Sequence, residues 1–326
     1  MRLLVAGGSG LLGNNIIRSA IERGYQVASL GRSNKGHPGL ADLNVEVITA
    51  NVADIESLKR QVIGRFDVIV NSAAHIHIGW DQLKQGLKIN RDGTRNLLSI
   101  AKRMNAKFVQ VSTVNALALG RRDQPANEEL TGDGQVPCTY VTTKRAADAE
   151  VARAHLEGQH VVTVHPGFML GPWDWNPSSG KMIQALQSPL LLSPSGGCSV
   201  CDPRDVASTI LNSIDLAPNG RHYILAGENL TYLDLWRRIS SKLGTIRAIT
   251  HLRPPERFVA AQICNLMRVC TGKERDVNSA SITMSSQFHW YSSQRAVDEL
   301  GYRFRSADDS ISSAVQWLRD RGMIRR

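Results

Sequence analysis

A short apolar run, Leu3-Leu4-Val5-Ala6, breaks into Gly7-Gly8-Ser9-Gly10-Leu11-Leu12-Gly13 and then into a pattern with a helical period. Few features restrict a fold more. The run has the length and composition of a buried strand. Leu12, Ile16, Ile17, Ala20 and Ile21 then recur as one face of a helix does, with Gly24 where a C-cap glycine belongs. Gly7, Gly10 and Gly13 therefore occupy a strand-to-helix turn. Glycine permits the tight turn and lets backbone approach a pyrophosphate, which the unpaired N–H groups of a helix N-terminus attract. No Gly-Lys-Ser/Thr follows, which excludes a P-loop.

The strand signal returns at Val27 to Leu30, Val45 to Ile48, Val68 to Val70, Phe108 to Val111 and Val161 to Val164. Helical candidates near 54–63, 82–103 and 139–157 separate these runs. Such alternation implies parallel strands joined by crossovers, hence an α/β, doubly wound parallel sheet of the Rossmann kind. From Pro166 to residue 203 the chain is rich in Pro, Gly, Ser and Trp without a clear period. A helix (Asp205 to Ile214), a strand (His222 to Leu225) and a helix (Tyr232 to Leu243) follow. The expected organisation is a dinucleotide domain over 1–165, completed by roughly 203–226, and a smaller C-terminal substrate domain, mainly 166–326.

With 42% hydrophobic and 21% charged residues, the 326-residue chain can bury a core, which excludes wholesale disorder. No apolar run approaches the ~18 residues that cross a bilayer. Gly7, Gly8, Gly10, Gly13, Asn14 and Asn15 interrupt any signal-peptide core, and five scattered cysteines suit a reducing compartment, so a cytoplasmic location is expected. The formal charge of +10 leaves nucleic acid, an anionic membrane surface or an acidic small molecule open. Dispersed basic residues and the lack of a nucleic-acid motif argue against the first.

The end of the second strand bears on cofactor choice. An NAD site places an acid there for the ribose 2′-hydroxyl. This chain reads Ser29-Leu30-Gly31-Arg32-Ser33-Asn34-Lys35, with no acid before Asp42. Arg32, supported by Ser33 and Lys35, suits a 2′-phosphate, so NADP(H) is favoured and NAD(H) is the alternative. Tyr140-Val-Thr-Thr-Lys144 places a phenol and an ammonium on one helical face. A free Tyr, with a pKa near 10, is a poor acid–base catalyst at neutral pH, and a neighbouring positive charge moves it toward neutrality. Val111-Ser112-Thr113 brings hydroxyls to the end of the fifth strand.

Together these motifs resemble the extended short-chain dehydrogenase/reductase superfamily, also described as the NAD-dependent epimerase/dehydratase family. Within it the chain is most similar to the dihydroflavonol 4-reductase-like and 3β-hydroxysteroid dehydrogenase-like group. The matching segments span nearly the whole chain: the glycine turn, Asn71-Ser72-Ala73-Ala74-His75, Asn90 to Leu98, Ser112-Thr113, Tyr140 with Lys144, His165 to Pro172, Asp202 to Ala207 and Tyr291 to Tyr302. The resemblance implies that Tyr140 is the general acid or base, that Lys144 lowers its pKa and binds the nicotinamide ribose, and that Thr113 holds the substrate oxygen. Asn90 would hold a water near Lys144. Leu11, Leu12, Ala73 and Ala74 would line the cofactor, with Asn51 and Val52 beside the adenine and Pro166 and Phe168 near the nicotinamide. Asn51 departs from the family's usual Asp and His165 from its Arg. Asn115 to Gly120 lacks the Val-Tyr-Gly of nucleotide-sugar epimerases.

The implied activity is hydride transfer between a ketone and a secondary alcohol on a moderately bulky, partly apolar small molecule. A nucleotide-sugar epimerase or dehydratase with tightly held NAD is the alternative, and a non-catalytic dinucleotide-binding scaffold the second. A homodimer is the family's usual form. Substrate contacts are expected from His75, His77, Asn115 and Trp173. Cys198-Ser-Val-Cys201 lacks a second ligand pair, so no metal is expected. The stretch 257–270 is amphipathic, and Arg319, Arg321, Arg325 and Arg326 form a basic end.

Overall fold

The computed structural model describes residues 1–32, 36–188 and 190–325. The first half runs β1 (Arg2–Ala6), α1 (Leu11–Glu22), β2 (Gln26–Gly31), β3 (Glu46–Thr49), α2 (Ile55–Gln61), β4 (Val68–Asn71), α3 (Leu83–Gly86), α4 (Gly93–Met104), β5 (Lys107–Val111), α5 (Thr139–Leu156) and β6 (Val161–Pro166). A π-helical turn, Leu87–Asp92, joins α3 to α4. The second half continues with β7 (Phe168–Met169), α6 (Gly180–Ala185), β8 (Leu192–Ser193), β9 (Gly197–Cys201), α7 (Pro203–Leu216), β10 (His222–Leu225), β11 (Glu228–Thr231), α8 (Tyr232–Leu243) and β12 (Thr250–His251). It closes with α9 (Pro254–Thr271), α10 (Ser279–Met284), β13 (Phe288–His289), α11 (Gln294–Leu300) and α12 (Ala307–Asp320).

Seven parallel strands stand in the order β3-β2-β1-β4-β5-β6-β10. Chain direction across the sheet reverses between β1 and β4. A crevice at their carboxyl ends is where such sheets bind ligands. Side chains alternate across each strand. Leu3 and Val5 join Ile16, Ile17 and Ala20 of α1 and Val206, Ile210 and Ile214 of α7. Leu4 and Ala6 face the opposite layer, with Leu58, Leu97, Ala101 and Val151. Burial on both faces is why β1 is apolar throughout rather than alternating. Ala296, Leu300 and Tyr302 return to the first of these cores, a contribution from the second half that α11 is too short to advertise.

A second layer forms around β9, which pairs with β11 antiparallel and with β7 and β13 in parallel. Leu170, Ile183, Leu235, Ile239, Ile311 and Leu318 make its core. Every residue of β9 is buried, and its small side chains leave no alternation to read in the sequence. Cys198 lies in this core and Cys201 in the first one, so the Cys-x-x-Cys thiols point into different layers. Burial pushes the Cys198 thiol up to about 12. Among the described residues, no group of three or more His, Cys, Asp or Glu could hold a metal, and no helix is long and apolar enough to cross a membrane.

Candidate active site

The β1–α1 turn is built by close approach. Gly7 has φ +84°, and a Cβ there would lie 2.8 Å from the Ala73 backbone. Its N–H bonds to the Leu30 carbonyl at 2.9 Å, and Gly10 N–H bonds to the Gly7 carbonyl at 3.0 Å. A Cβ on Gly13 would overlap the Gly7 carbonyl oxygen and come within 2.8 Å of its carbon. Gly10 caps α1 without a side-chain hydrogen bond, and no acid stands in the first turn. The first N–H groups of α1 therefore remain open to an anion. Gly13→Ala must open this turn; it is expected to cost about 1–3 kcal/mol, read as weaker dinucleotide binding or a lower unfolding midpoint. Unchanged affinity and stability would contradict the packing described.

A cleft of about 370 Å³ runs from this turn to the end of β5. Gly7, Gly10, Leu11, Leu12, Arg32, Asn51, Val52, Ala73, Ala74, Tyr140 and Lys144 line it, and Gly13 supports the turn from behind. The glycine cradle, the open helix end and the length of the cleft fit a dinucleotide. No carboxylate lines the cleft among the described residues. Asp42, the next acid after β2, pairs with Arg18 at 2.9 Å. Ser33 and Lys35, expected beside Arg32, lie outside the described residues.

At the other end, α5 puts Tyr140, Lys144 and Asp148 four residues apart on one face. Thr113 ends the β5 segment in extended conformation and is hydrogen-bonded to the Tyr140 phenol. The Lys144 ammonium donates to the Val111 carbonyl at 2.7 Å. Ser112 donates to Asp148 Oδ2 at 2.6 Å. His165 donates from Nδ1 to the Thr113 carbonyl at 3.2 Å, and burial pushes its pKa down to about 3, so the ring is neutral.

Burial pushes the Tyr140 phenol up to about 12, with the Thr113 hydrogen bond acting the other way. The expectation that Lys144 draws this phenol toward neutrality is not met: the neighbouring Cys138 and Asp148 act in the same direction as burial, so only Thr113 opposes the rise, and Lys144 is not one of its causes. Burial brings Lys144 down to about 8, against the attraction of the Asp148 carboxylate. Asp148 is lifted by burial to about 6, against the Ser112 hydrogen bond and the Lys144 charge. Because that carboxylate holds the proton on Lys144, Asp148→Asn is expected to move the alkaline limb of the pH–rate profile down by about one unit. An unmoved limb would separate Asp148 from the titration of Lys144.

Several candidates stand elsewhere than expected. Asn90, in the π-helical turn, accepts from the His75 N–H at 2.7 Å and donates to the His75 carbonyl at 3.0 Å and to Thr143 at 2.9 Å. It clamps the loop after β4 to α5. A second cavity, of about 450 Å³, adjoins the dinucleotide cleft at Tyr140, and His75 lines the cleft, not this cavity. Phe168 lines that second cavity, and Met169 touches both. Pro166, paired with Leu225 inside the sheet, lines neither. Trp173 is held away from both by Arg18, whose guanidinium lies 3.3 Å over its ring, and by Trp175 and Trp317. His77 and Asn115 do line the second cavity.

Two carboxylates were not singled out in the sequence. Asp148 repeats the four-residue spacing of Tyr140 and Lys144, so a signal existed. Glu274 has none. It meets His77 Nε2 at 2.8 Å and accepts from the N–H groups of Trp80 and Asp81 at 2.9 and 3.1 Å, fixing the loop that roofs the second cavity.

A doubly wound sheet whose dinucleotide cleft ends on a Tyr–Lys pair defines the extended short-chain dehydrogenase/reductase class, and this chain is an NAD(P)-dependent oxidoreductase of that class. More narrowly, it belongs to the NAD dependent epimerase/dehydratase family, whose model matches residues 3–206. It is similar to a Synechocystis sp. protein named for dihydroflavonol 4-reductase, 28% identical over 98% of this chain and 95% of that one. The 2-alkyl-3-oxoalkanoate reductase of Stenotrophomonas maltophilia is 26% identical over 93% and 94%. The solved nucleoside-diphosphate-sugar epimerase PA4631 of Pseudomonas aeruginosa shares the fold, with a TM-score of 0.81 at 24% identity and 99% coverage of each chain.

Proposed function

We propose that the protein reduces a ketone on a moderately bulky, partly apolar molecule to a secondary alcohol, with a preference for NADP(H). The observation that carries this reading is the junction of two cavities at Tyr140. The second cavity, about 450 Å³, is walled by Ile76, Ile78, Val114, Phe168 and Met169, with Thr113, Asn115 and Tyr140 at one end. Tyr140, Ile76 and Met169 also line the dinucleotide cleft. Polar and charged groups, among them Lys181, Arg275 and Asp276, complete its lining, and such a mixed cavity suits a partly apolar substrate that also carries polar groups.

Bound in the cleft, the reduced dinucleotide supplies the hydride. Thr113 and Tyr140 hold the carbonyl oxygen, and Tyr140 gives it a proton. A phenol pushed up to about 12 stays protonated at neutral pH, so the donor form is present for reduction while little phenolate is available for the reverse oxidation. Lys144, tied to the Val111 carbonyl and lining the cleft, would hold the cofactor's nicotinamide ribose and set positive charge beside Tyr140. Two relatives named as reductases support the direction. Arg32 and the lack of a carboxylate in the cleft among the described residues support the 2′-phosphate.

The test is a screen of NADPH and NADH oxidation against ketones with apolar rings or chains. Net oxidation of NADPH supports the reading. Bound NAD after purification, with nucleotide-sugar epimerisation and no net cofactor consumption, would replace it.

A further inference from the structure

We infer that α9 docks the protein on the surface of an anionic membrane. None of its 18 residues is buried, yet its apolar side faces outward. Phe258 and Leu266 are each 65% exposed and Val269 is 81% exposed, with Val259 and Ile263 on the same stripe. The opposite side, which carries half-buried Ala260, Ala261, Cys264 and Met267, also turns two arginines to the protein. Arg257 donates to Ser195 at 3.0 Å, and Arg268 pairs with Asp81. The outward side of the helix thus carries an exposed apolar stripe, interrupted by Gln262, of the kind that marks an interaction surface.

Charge identifies the occupant. Exposed Arg247 and Arg253 precede the helix, and exposed Lys273 and Arg275 follow it. No carboxylate pairs with any of these four side chains among the described residues. An apolar stripe between two cationic ends complements acyl chains flanked by anionic headgroups. A second copy fits poorly, because a two-fold pairing of this helix brings cationic ends against cationic ends in either direction. Exposed Leu191, Leu192 and Ile249 extend the apolar surface beside the N-terminal end, where β8 pairs with β12. Beyond the C-terminal end, Arg275, Asp276 and Asn278 form part of the second cavity's wall, so the docked face adjoins that cavity.

The experiment is co-sedimentation of the full chain with phosphatidylcholine vesicles, with and without phosphatidylglycerol, at low and high salt. Binding is expected with phosphatidylglycerol and should fall as salt rises. Leu266→Glu and Val269→Glu should each lose at least about tenfold in affinity, and Arg247→Gln and Lys273→Gln about fivefold each. NADPH binding, read by fluorescence, should be unchanged in all four and shows that they fold. Wild-type protein that binds NADPH yet ignores anionic vesicles overturns the inference. So do Glu variants that bind vesicles like wild type, and so does a wild-type dimer that the Glu variants split without any vesicle binding.

Discussion

Tyr140→Phe is expected to lower turnover by roughly 10²–10⁴-fold while leaving dinucleotide affinity nearly unchanged. The substitution removes one oxygen from a ring that lines both cavities, so cofactor contacts made by the ring persist. What disappears is the proton donor and the partner of Thr113. The pH behaviour follows from the same group. Since burial pushes the phenol up to about 12, ketone reduction has its donor protonated throughout the neutral range. Alcohol oxidation needs the phenolate and should climb as pH rises. Wild-type turnover in Tyr140→Phe would remove Tyr140 from the chemistry.

The second large effect concerns cofactor choice. Arg32→Ala should reduce the ratio of kcat/KM for NADPH over NADH by about 10–150-fold, the equivalent of a charge-assisted hydrogen bond of about 1.5–3 kcal/mol. Arg32 lines the cleft and is exposed, so its loss should leave the fold intact and NADH turnover near its original value. The nearest following acid, Asp42, is held by Arg18 at 2.9 Å and does not serve a 2′-hydroxyl in its place. A wild-type preference for NADH, or a ratio insensitive to Arg32, would contradict this assignment.

Much of the framework was legible because it is local. The apolar run of β1, the glycine turn and the periodic face of α1 are neighbours in sequence, and each constrains the next. Tyr140 and Lys144 were legible for the same reason, being one helical turn apart. Asp148 obeys the same spacing, but only its burial and its bond to Ser112 mark it as more than a surface acid. Long-range facts were hidden. His77 and Glu274 meet across 197 residues, and nothing in either segment announces the other. The small, wholly buried β9 carries no alternation, so the second layer could not be assembled from sequence. Trp173 shows the limit of residue type as evidence: an aromatic after Gly171-Pro172 suits a pocket wall or a packed cluster equally. Its positive φ of 73° and the Arg18 guanidinium over its ring place it in the cluster. His75 and His77 sit two residues apart yet serve different cavities because Asn90 clamps the backbone between β4 and the loop tip.

The central claim is that hydride and proton reach one carbonyl at the junction marked by Tyr140. Incubation of the protein with NADPH carrying deuterium at nicotinamide C4 and an apolar ketone tests it most directly, with mass spectrometry of the product. One deuterium at the carbinol carbon in wild type, and loss of that product in Tyr140→Phe, is the predicted result. Deuterium that never reaches a product carbon across the ketone panel, while the cofactor is recovered unconsumed, would contradict it.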